Sequence, residues 1–405
     1  MNSPDTIYSP RTLKVRIDRS LSYVDRVKLE TMSNEHRLLY NHLLAQTQGE
    51  IGSDFKKLNS AYVNFRHENG LTIPSKAAQN TCYSLINNMK SFFALKKKDA
   101  SARFPHKFKS WKFFTSFTYD WNGGGGGFYF TPTELVIRKP EIRIKLPSYV
   151  TANLEDIRTV TFSGNEKGHI FISFMHYVGT PNRHLSKENW LSLDPGVTSI
   201  LTGVTSTGVF FKVKNEDGRI DEKQVDRLRG RRDRKKRGSK KRLKAAAAFR
   251  RKAAKVMNRR RDYHHKLTKS VIDFCIKNDI GTIIHGDIQT KKLKDAKGAN
   301  RGLNRATQNR GSLSRVKQFL AYKAEKEGIA HVLQDEAYTS KTNCYTKELF
   351  PNMSLGVREV ELAEGLVIDR DVNGAINIAN KNLGNWSPQW AWLTGLRDTP
   401  LVVCE

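Results

Sequence analysis

Three short segments, far apart in the chain, each carry an acidic residue where a divalent metal could use it. Asp194, Glu336 and Asp371 lie in the sequences LDPGVT, DEAYTSKT and DRDVNGA. Phosphodiester cleavage with two metal ions needs carboxylates from different strands that converge on ions about 4 Å apart. A single aspartate is more often a turn residue or a helix cap, and Asp194 before Pro-Gly could simply start a turn. A fold that uses all three acids must bring these segments together.

The presence of these carboxylates calls for an explanation, because the rest of the chain is strongly basic. It has 70 Lys and Arg residues against 40 Asp and Glu, which gives a formal net charge of +30. A protein of this charge binds DNA or RNA by releasing counterions, so the acids favour a metal-dependent nuclease. An anionic membrane is the rival partner, but no apolar run approaches the roughly 18 residues needed to span a bilayer.

The cysteines are too few and too scattered for a disulfide framework or for paired zinc knuckles: Cys82, Cys275, Cys344 and Cys404. The N-terminus carries no signal-like apolar core. We therefore expect a reduced, intracellular protein, in the cytoplasm or nucleoid if the source is prokaryotic.

The N-terminal part alternates between two hydrophobic periods. Leu13, Val15 and Ile17 alternate with charged residues, which predicts a strand, and similar alternation returns after residue 110. Residues 22–100 instead follow a helical period, clearest at Ala78, Cys82, Leu85, Met89 and Phe92/Phe93. This pattern predicts a small β-barrel domain (wedge) built from 1–21 and 101–185, interrupted by a helical recognition lobe at 22–100.

The C-terminal part, 186–405, reads as strands followed by alternating helix and strand. Asp194 ends the first strand of a hairpin, a long helix covers about 239–277, and a buried strand follows at 282–285. Further helices are predicted at about 312–327 and from Asn373. This order suits an α/β domain of the RNase H-like, RuvC type.

The stretch 227–266 holds 20 Lys or Arg residues and only two acids. Runs of this kind are often disordered. Here one face collects apolar residues, so a basic helix with a buried seam is favoured: Leu243, Ala247, Ala254, Met257 and Leu267.

Several motifs together resemble one family. They are RFPHKFK at 103–109, RRDYHHK at 260–266, LAYKA at 320–324, YTSKT at 338–342 and DVNGA at 371–375. With them, the chain resembles the TnpB family of transposon-encoded RNA-guided nucleases, which are related to the Fanzor proteins and the type V CRISPR effectors. The resemblance implies an RNA-guided DNA endonuclease that cleaves DNA with two Mg²⁺ ions at a RuvC site, where Asp194 and Asp371 are the first and third acids.

The second acid departs from the family pattern, because Gly286 stands where a glutamate is expected. Asp287 is a poor substitute, since successive side chains of a strand point to opposite faces. Some relatives carry the acid further along, just before the Thr-Ser motif, and Glu336 lies there. Two hypotheses remain open: an active triad of Asp194, Glu336 and Asp371, or a nuclease-inactive, RNA-guided DNA-binding transcriptional repressor. The retained aspartates and Glu336 favour activity.

Relatives also place two cysteine pairs between the Thr-Ser motif and the last aspartate. The corresponding insertion, about 340–368, holds only Cys344. One cysteine cannot supply the four ligands of a structural zinc site. We therefore expect no zinc in this degenerate, zinc-finger-like segment.

The implied partners are a guide RNA and a target double-stranded DNA, without a membrane. Lys76, Gln79 and Asn80 are the candidates for reading a short motif beside the target, although solvated polar residues are the more common explanation. The further candidates for nucleic-acid binding are basic: Arg103, Lys107, Lys109, Arg231, Arg232, Lys235, Lys240, Lys241, Arg259, Arg260 and Lys341. A guide-independent nucleic-acid-binding protein and a transposase that joins DNA ends are the alternatives from other classes.

Overall fold

The computed structural model describes residues 8–48, 54–102, 107–120, 127–151, 157–165, 168–179, 183–215, 222–287, 312–351, 353, 356–384, 393–398 and 401. They form two compact units, an N-terminal unit (Tyr8–Gly179) and a C-terminal unit that takes in the chain from Thr180 onward. Within the described residues, no helix is both long enough and apolar enough to cross a membrane.

The N-terminal unit contains two antiparallel sheets. The larger has the order β1-β7-β6-β2 and the smaller has the order β3-β4-β5. Their bounds are β1 Tyr8–Arg16, β2 Phe117–Asp120, β3 Phe128–Phe130, β4 Glu134–Ile137, β5 Ile142–Lys145, β6 Ile157–Gly164 and β7 Ile170–Gly179. The strand at Leu13–Ile17 is confirmed, since β1 pairs with β7 along its whole length. In the described part of this unit the pairing stays within the two sheets, so a closed barrel remains a prediction.

Helices stand between β1 and β2, as the helical period of residues 22–100 predicts. They are α1 (Tyr23–Gln48), α2 (Phe55–Glu68) and α3 (Ser75–Lys98), while a short α4 (Ser148–Thr151) follows β5. The predicted apolar face of α3 is buried from Ala78 to Phe92. Phe93 is exposed instead, because one position of a helix beyond Phe92 already faces away from the core.

The C-terminal unit is built on a mixed six-stranded sheet with the order β12-β11-β8-β9-β10-β15. The strands are β8 Trp190–Asp194, β9 Ser199–Thr205, β10 Val209–Lys214, β11 Thr282–Asp287, β12 Ala330–Asp335 and β15 Arg397–Asp398. β8, β9 and β10 are antiparallel neighbours, whereas β11 runs parallel to both β8 and β12. The carboxyl ends of β8, β11 and β12 therefore meet at one edge of the sheet.

The remaining elements of this unit are α5 (Glu222–Asp233), α6 (Lys240–Lys277), α7 (Ser312–Lys326), α8 (Arg370–Leu383), and the hairpin of β13 (Glu359–Ala363) and β14 (Leu366–Asp369). The long predicted helix is confirmed as α6, whose N-cap Ser239 accepts a hydrogen bond from the Arg242 amide. Its predicted seam is wrong at Leu243 and Met257, which are exposed. In the described part of α6 the buried residues begin only at Val256, because the N-terminal half pairs with α5 rather than with the sheet.

The last helix begins earlier than predicted, at Arg370 rather than Asn373. Asp369 explains the difference, because its carboxylate accepts hydrogen bonds from the amides of Asp371 (2.8 Å) and Val372 (3.3 Å). A carboxylate at the N-cap satisfies amides that the first helical turn cannot pair. Asp371 therefore lies within the first turn of α8.

Candidate active site

Asp194 is the last residue of β8, and α8 packs directly against it. A Cβ added to Gly374 would lie 2.7 Å from Asp194 Oδ2. The Ser192 hydroxyl donates to the Ala375 carbonyl at 2.6 Å and holds α8 on β8. The glycine of the DVNGA motif is therefore required by the close approach of helix and carboxylate. The same packing brings Asp371, one turn earlier on α8, into electrostatic range of Asp194.

Glu336 follows β12 and its side chain occupies the space above Gly286 on the neighbouring strand. The parallel register of β11 and β12 pairs Gly286 with Gln334, two residues before Glu336. A Cβ added to Gly286 would lie 2.1 Å from Glu336 Oε1. Gly286 stands where an acid is expected in the sequence, and the carboxylate of Glu336, from the end of the neighbouring strand β12, lies over this position in space.

Burial and neighbouring charges raise the pKa of two carboxyls at this edge, Asp194 and Glu336. Burial raises the pKa of Asp194, and the negative charge of Asp371 adds to the effect. Burial also raises the pKa of Glu336, followed by the charges of Asp194, Asp287 and Asp335. Glu336 Oε1 is buried and finds no hydrogen-bond partner among the described residues. Crowded, poorly compensated carboxylates of this kind mark a candidate functional site.

The loop that carries Glu336 is fastened to α8 by two buried asparagines. Asn373 donates to the Thr342 carbonyl (2.9 Å) and accepts from the Cys344 amide (3.0 Å). Asn377 donates to the carbonyls of Thr339 (2.8 Å) and Thr342 (2.6 Å). Because α8 also carries Asp371, one helix positions two of the three candidate acids.

Lys212 on β10 is the cation that pairs directly with two acids beside the site. Its Nζ lies 2.6 Å from Asp369 Oδ2 and 3.1 Å from Asp371 Oδ2. The Asp371 carboxylate therefore lies against Lys212. The described residues contain no group of three or more His, Cys, Asp or Glu side chains arranged around a common metal position. The chemistry of the set still fits Mg²⁺, which prefers carboxylate oxygens, and Glu336 Oε1 offers an unused acceptor.

Asp287 forms an ion pair with Lys317 on α7, and the charges of both residues act on the pKa of Glu336. That Asp287 does not replace the missing acid stays a prediction. Cys344 is buried as a free thiol. The described part of 340–368 folds through an isolated bridge between Thr342 and Leu349 and the β13–β14 hairpin, and the absence of zinc stays a prediction.

The candidate residues for reading DNA lie at the start of α3. Lys76 is exposed and donates to Gln79 Oε1 at 3.0 Å. Asn80 donates to the Thr118 carbonyl on β2 at 3.1 Å, which gives it a role in holding α3 to the sheet.

The basic candidates divide into exposed and engaged residues. The exposed ones are Lys107, Arg231, Lys235, Lys240, Lys241, Arg259 and Lys341. Arg260 is half-buried, Arg232 pairs with Asp233 at 2.8 Å, and Lys109 stacks over the Tyr40 ring at 3.9 Å. Burial lowers the pKa of Lys109 to about 8, and Arg103 lies outside the described residues.

Sequence reasoning missed Lys212, Asp369 and the two anchoring asparagines. The signal for the asparagines was present, because Asn373, Asn377 and Asn380 recur at helical spacing on an otherwise apolar helix and are all fully buried. Buried amides need partners, so a ladder of this kind predicts a fixed loop beside the helix.

Comparison with known proteins agrees with this architecture. Residues 173–292 match the OrfB_IS605 family, described as "probable transposase", and residues 314–378 match the family "Cas12f1-like, TNB domain". The solved structure described as "Cryo-EM structure of the Cas12f1-sgRNA-target DNA complex" aligns with a TM-score of 0.67 at 15% identity, over 93% of this chain and 99% of that chain. The structure described as "Cryo-EM structure of CRISPR-Cas12f Ternary Complex" reaches a TM-score of only 0.39 at 14% identity, over 88% and 81%. No curated protein matches the chain.

The class that follows is a mixed α/β protein with a Cas12f-like fold. Within that class, the resemblance to the TnpB family and the type V effectors predicted from the motifs is confirmed by the two family matches.

Proposed function

We propose that this chain is an RNA-guided DNA endonuclease whose RuvC-type site consists of Asp194, Glu336 and Asp371. The observation that carries the proposal is the Glu336 carboxylate above Gly286, in the space of the acid that the family pattern lacks here. The strand order β10-β9-β8-β11-β12 supports the RNase H-like assignment. The description of the Cas12f1 complex, which contains an sgRNA and target DNA, supports the choice of partners.

Each residue of the site has a distinct task. Asp194 and Glu336 provide carboxylate oxygens from the ends of β8 and β12, the two parallel strands that flank β11, and α8 presents Asp371 beside them. Mg²⁺ bound by these oxygens would activate a water and stabilise the leaving oxygen. The ion pair with Lys212 uses Asp371 Oδ2, and the other carboxylate oxygen of Asp371 would be the one offered to a metal.

The exposed basic residues around α5 and α6 suit the backbone of a guide RNA. Arg231, Lys235, Lys240 and Lys241 are all exposed at this helix pair and its connection. Contacts of this type give affinity without reading sequence. Pairing between guide and target then supplies the sequence specificity, as in other RNA-guided systems.

One observation favours a second function, that of a guided DNA-binding protein without nuclease activity. The ion pair between Lys212 and Asp371 (3.1 Å) neutralises the third acid internally. If that pair keeps a metal from Asp371 when DNA is bound, the protein occupies its target without cutting it.

Cleavage of matched plasmid by the protein–RNA complex in Mg²⁺ distinguishes the two. The parent, Asp194→Ala and Glu336→Ala are compared with Asp335→Ala, a neighbouring exposed acid. We expect the parent and Asp335→Ala to cut, while the other two bind the target without cutting it. Tight target binding by a parent that never cuts would establish the second function, and full activity of Glu336→Ala would remove Glu336 from the site.

An exchange of positions tests the role of Glu336 more directly. Gly286→Glu alone is expected to be inactive, because any side chain at residue 286 collides with Glu336. The double change Gly286→Glu/Glu336→Gly clears that space and returns an acid to β11. Recovery of cleavage in the double variant would show that the position in space is what matters, and failure of both variants beside an active parent would show that the loop itself is needed.

A further inference from the structure

The segment 109–115, here called the aromatic strap, is fixed to α1 at both of its ends. At one end the Lys109 amide donates to Asn41 Oδ1 (2.8 Å) and Asn41 Nδ2 donates to the Lys109 carbonyl (3.0 Å). At the other end the Thr115 amide donates to Ser33 Oγ (2.6 Å), and that hydroxyl donates to the Thr115 carbonyl (3.0 Å). Two reciprocal pairs hold the strap in place independently of its aromatic side chains.

Between these anchors the strap turns one aromatic ring inward and two outward. Phe114 packs beside Phe117 with 5.9 Å between ring centroids, and it fills the space that a side chain at Gly164 would need. Trp111 is 76% exposed and Phe113 is 60% exposed. Since the backbone of the strap is fixed, the outward rings are held in water where their burial against a partner would be favourable.

The outward rings line a groove whose other walls are mainly cationic and polar. Arg26 and Arg37 of α1 and Lys112 of the strap line it, with Asn34 and His169. Glu30 is the one acidic residue among the described residues that line the groove, and it forms an ion pair with Arg26 at 3.0 Å. Flat apolar rings beside several cations match a nucleotide, which has a flat base and a negative phosphate. A neutral or acidic peptide would supply charge without the stacking surface.

We propose that this groove binds an unpaired nucleotide of the RNA partner, with its base against Trp111 and Phe113 and its phosphates near Arg37 and Lys112. The inference rests on the proposed function in that it requires an RNA partner. RNA is favoured over duplex DNA because the bases of a duplex are stacked and paired, whereas RNA loops expose single bases to aromatic side chains. Oligothymidine represents the DNA strand that guide pairing would displace. The role is binding alone and involves no step of the cleavage reaction.

The test is RNA binding by the full chain, freed of nucleic acid and kept in EDTA, so that cleavage plays no part. The probe is labelled oligouridine of about 12 nucleotides, within the site size of such grooves, with duplex RNA and oligothymidine for comparison. Trp111→Ala/Phe113→Ala is compared with Phe108→Ala, which removes a ring that is 57% exposed just outside the strap. Trp111→Phe restores a ring, and thermal unfolding confirms that each variant is folded.

We expect the double variant to bind oligouridine about 10-fold more weakly, with duplex RNA unaffected, Phe108→Ala unchanged and Trp111→Phe largely restored. The loss should persist at high salt, because stacking does not depend on counterions. An affinity equal to that of Phe108→Ala, or an equal loss for duplex RNA, overturns the inference while leaving the proposed function intact. An equal or greater loss for oligothymidine overturns the choice of RNA, and a parent that binds no RNA at all overturns both proposals.

Discussion

Each unit of this protein contains a buried glutamate carboxylate oxygen, and the two glutamates differ in their hydrogen bonding. In the N-terminal unit, Glu35 accepts hydrogen bonds from the amides of Thr72 and Ile73 (2.9 Å each) and from the Thr72 hydroxyl (3.0 Å). In the C-terminal unit, Glu336 Oε1 finds no hydrogen-bond partner among the described residues and faces other acids. A fully bonded buried acid stabilises the fold, whereas an unbonded acid in a cluster of like charges is retained at a cost to stability. Under the proposed function Glu35 is a structural glutamate and Glu336 belongs to the active site, and the difference in hydrogen bonding agrees with these two roles.

The largest effect should follow from Glu336→Gln. We expect guided cleavage to slow by about 10³-fold, while the free energy of unfolding in EDTA stays the same or rises, because an unpaired buried acid has been neutralised. Single-turnover cleavage and urea denaturation measure the two quantities. Asp335→Asn serves as the control next to it, and a variant that loses stability but keeps its cleavage rate would reverse the assignment.

Glu35→Gln should do the opposite. A glutamine oxygen could still accept from both backbone amides, which share Oε2, but it carries no charge and the Thr72 hydroxyl would have to turn and accept. We expect a loss of about 2 kcal/mol in the free energy of unfolding, with cleavage by the folded fraction unchanged. Urea denaturation and exchange protection of the Thr72 and Ile73 amides report the change. Glu30→Gln removes an exposed ion pair from the same helix and should cost no more than about 0.5 kcal/mol. Equal losses at residues 30 and 35 would contradict the comparison.

The same logic extends to a buried histidine of the N-terminal unit. His36 bonds to Thr81 Oγ1 (2.6 Å) and stacks on Phe117, and burial lowers its pKa to about 3. Below pH 6.5 the imidazole of His36 binds a proton in the unfolded chain but stays neutral in the folded chain. The free energy of unfolding is therefore highest above pH 6.5 and falls by about 1.4 kcal/mol per pH unit below it. Hydrogen exchange of peptides from 8–179 between pH 7 and 5 measures this slope. His36→Phe should flatten it, and an unchanged slope would assign the effect to other groups.

The smallest effect should come from separating two adjacent arginines. Arg231 is exposed, whereas Arg232 pairs with Asp233 and lies 4.6 Å from the Phe249 ring centroid. We expect Arg231→Ala to weaken RNA binding about 3-fold and to reduce the salt slope by about 1. Arg232→Ala should instead loosen the pairing of α5 with α6. Binding isotherms at several salt concentrations decide between them, and a reversed order would show that exposure does not identify the RNA contacts.

Much of the fold could be predicted because hydrophobic period is a local property. Alternation found β1, the spacing of Ala78 to Phe92 found α3, and the apolar run before Asp194 found the strand that ends at the site. The seam of α6 was misplaced at Leu243 and Met257, because apolar spacing shows which face is apolar but not which part of a helix has a partner.

The site itself could be predicted only in part. Asp194 and Asp371 are recognisable from their motifs, but the position of Glu336 depends on the register of β11 with β12, which are far apart in the chain. It depends equally on the hydrogen bonds from Asn373 and Asn377 that fix the following loop. The order of the motifs along the chain gives neither the register of these two strands nor these hydrogen bonds.

The absence of a side chain at residue 286 also limits which substitutions this position can accept. A Cβ there would lie 2.1 Å from Glu336 Oε1, so a side chain at residue 286 would displace the Glu336 carboxylate from its present position. A substitution at residue 286 would therefore act first on the Glu336 carboxylate. Under the proposed function, a search that requires an acid at residue 286 would overlook a site whose acid stands at residue 336.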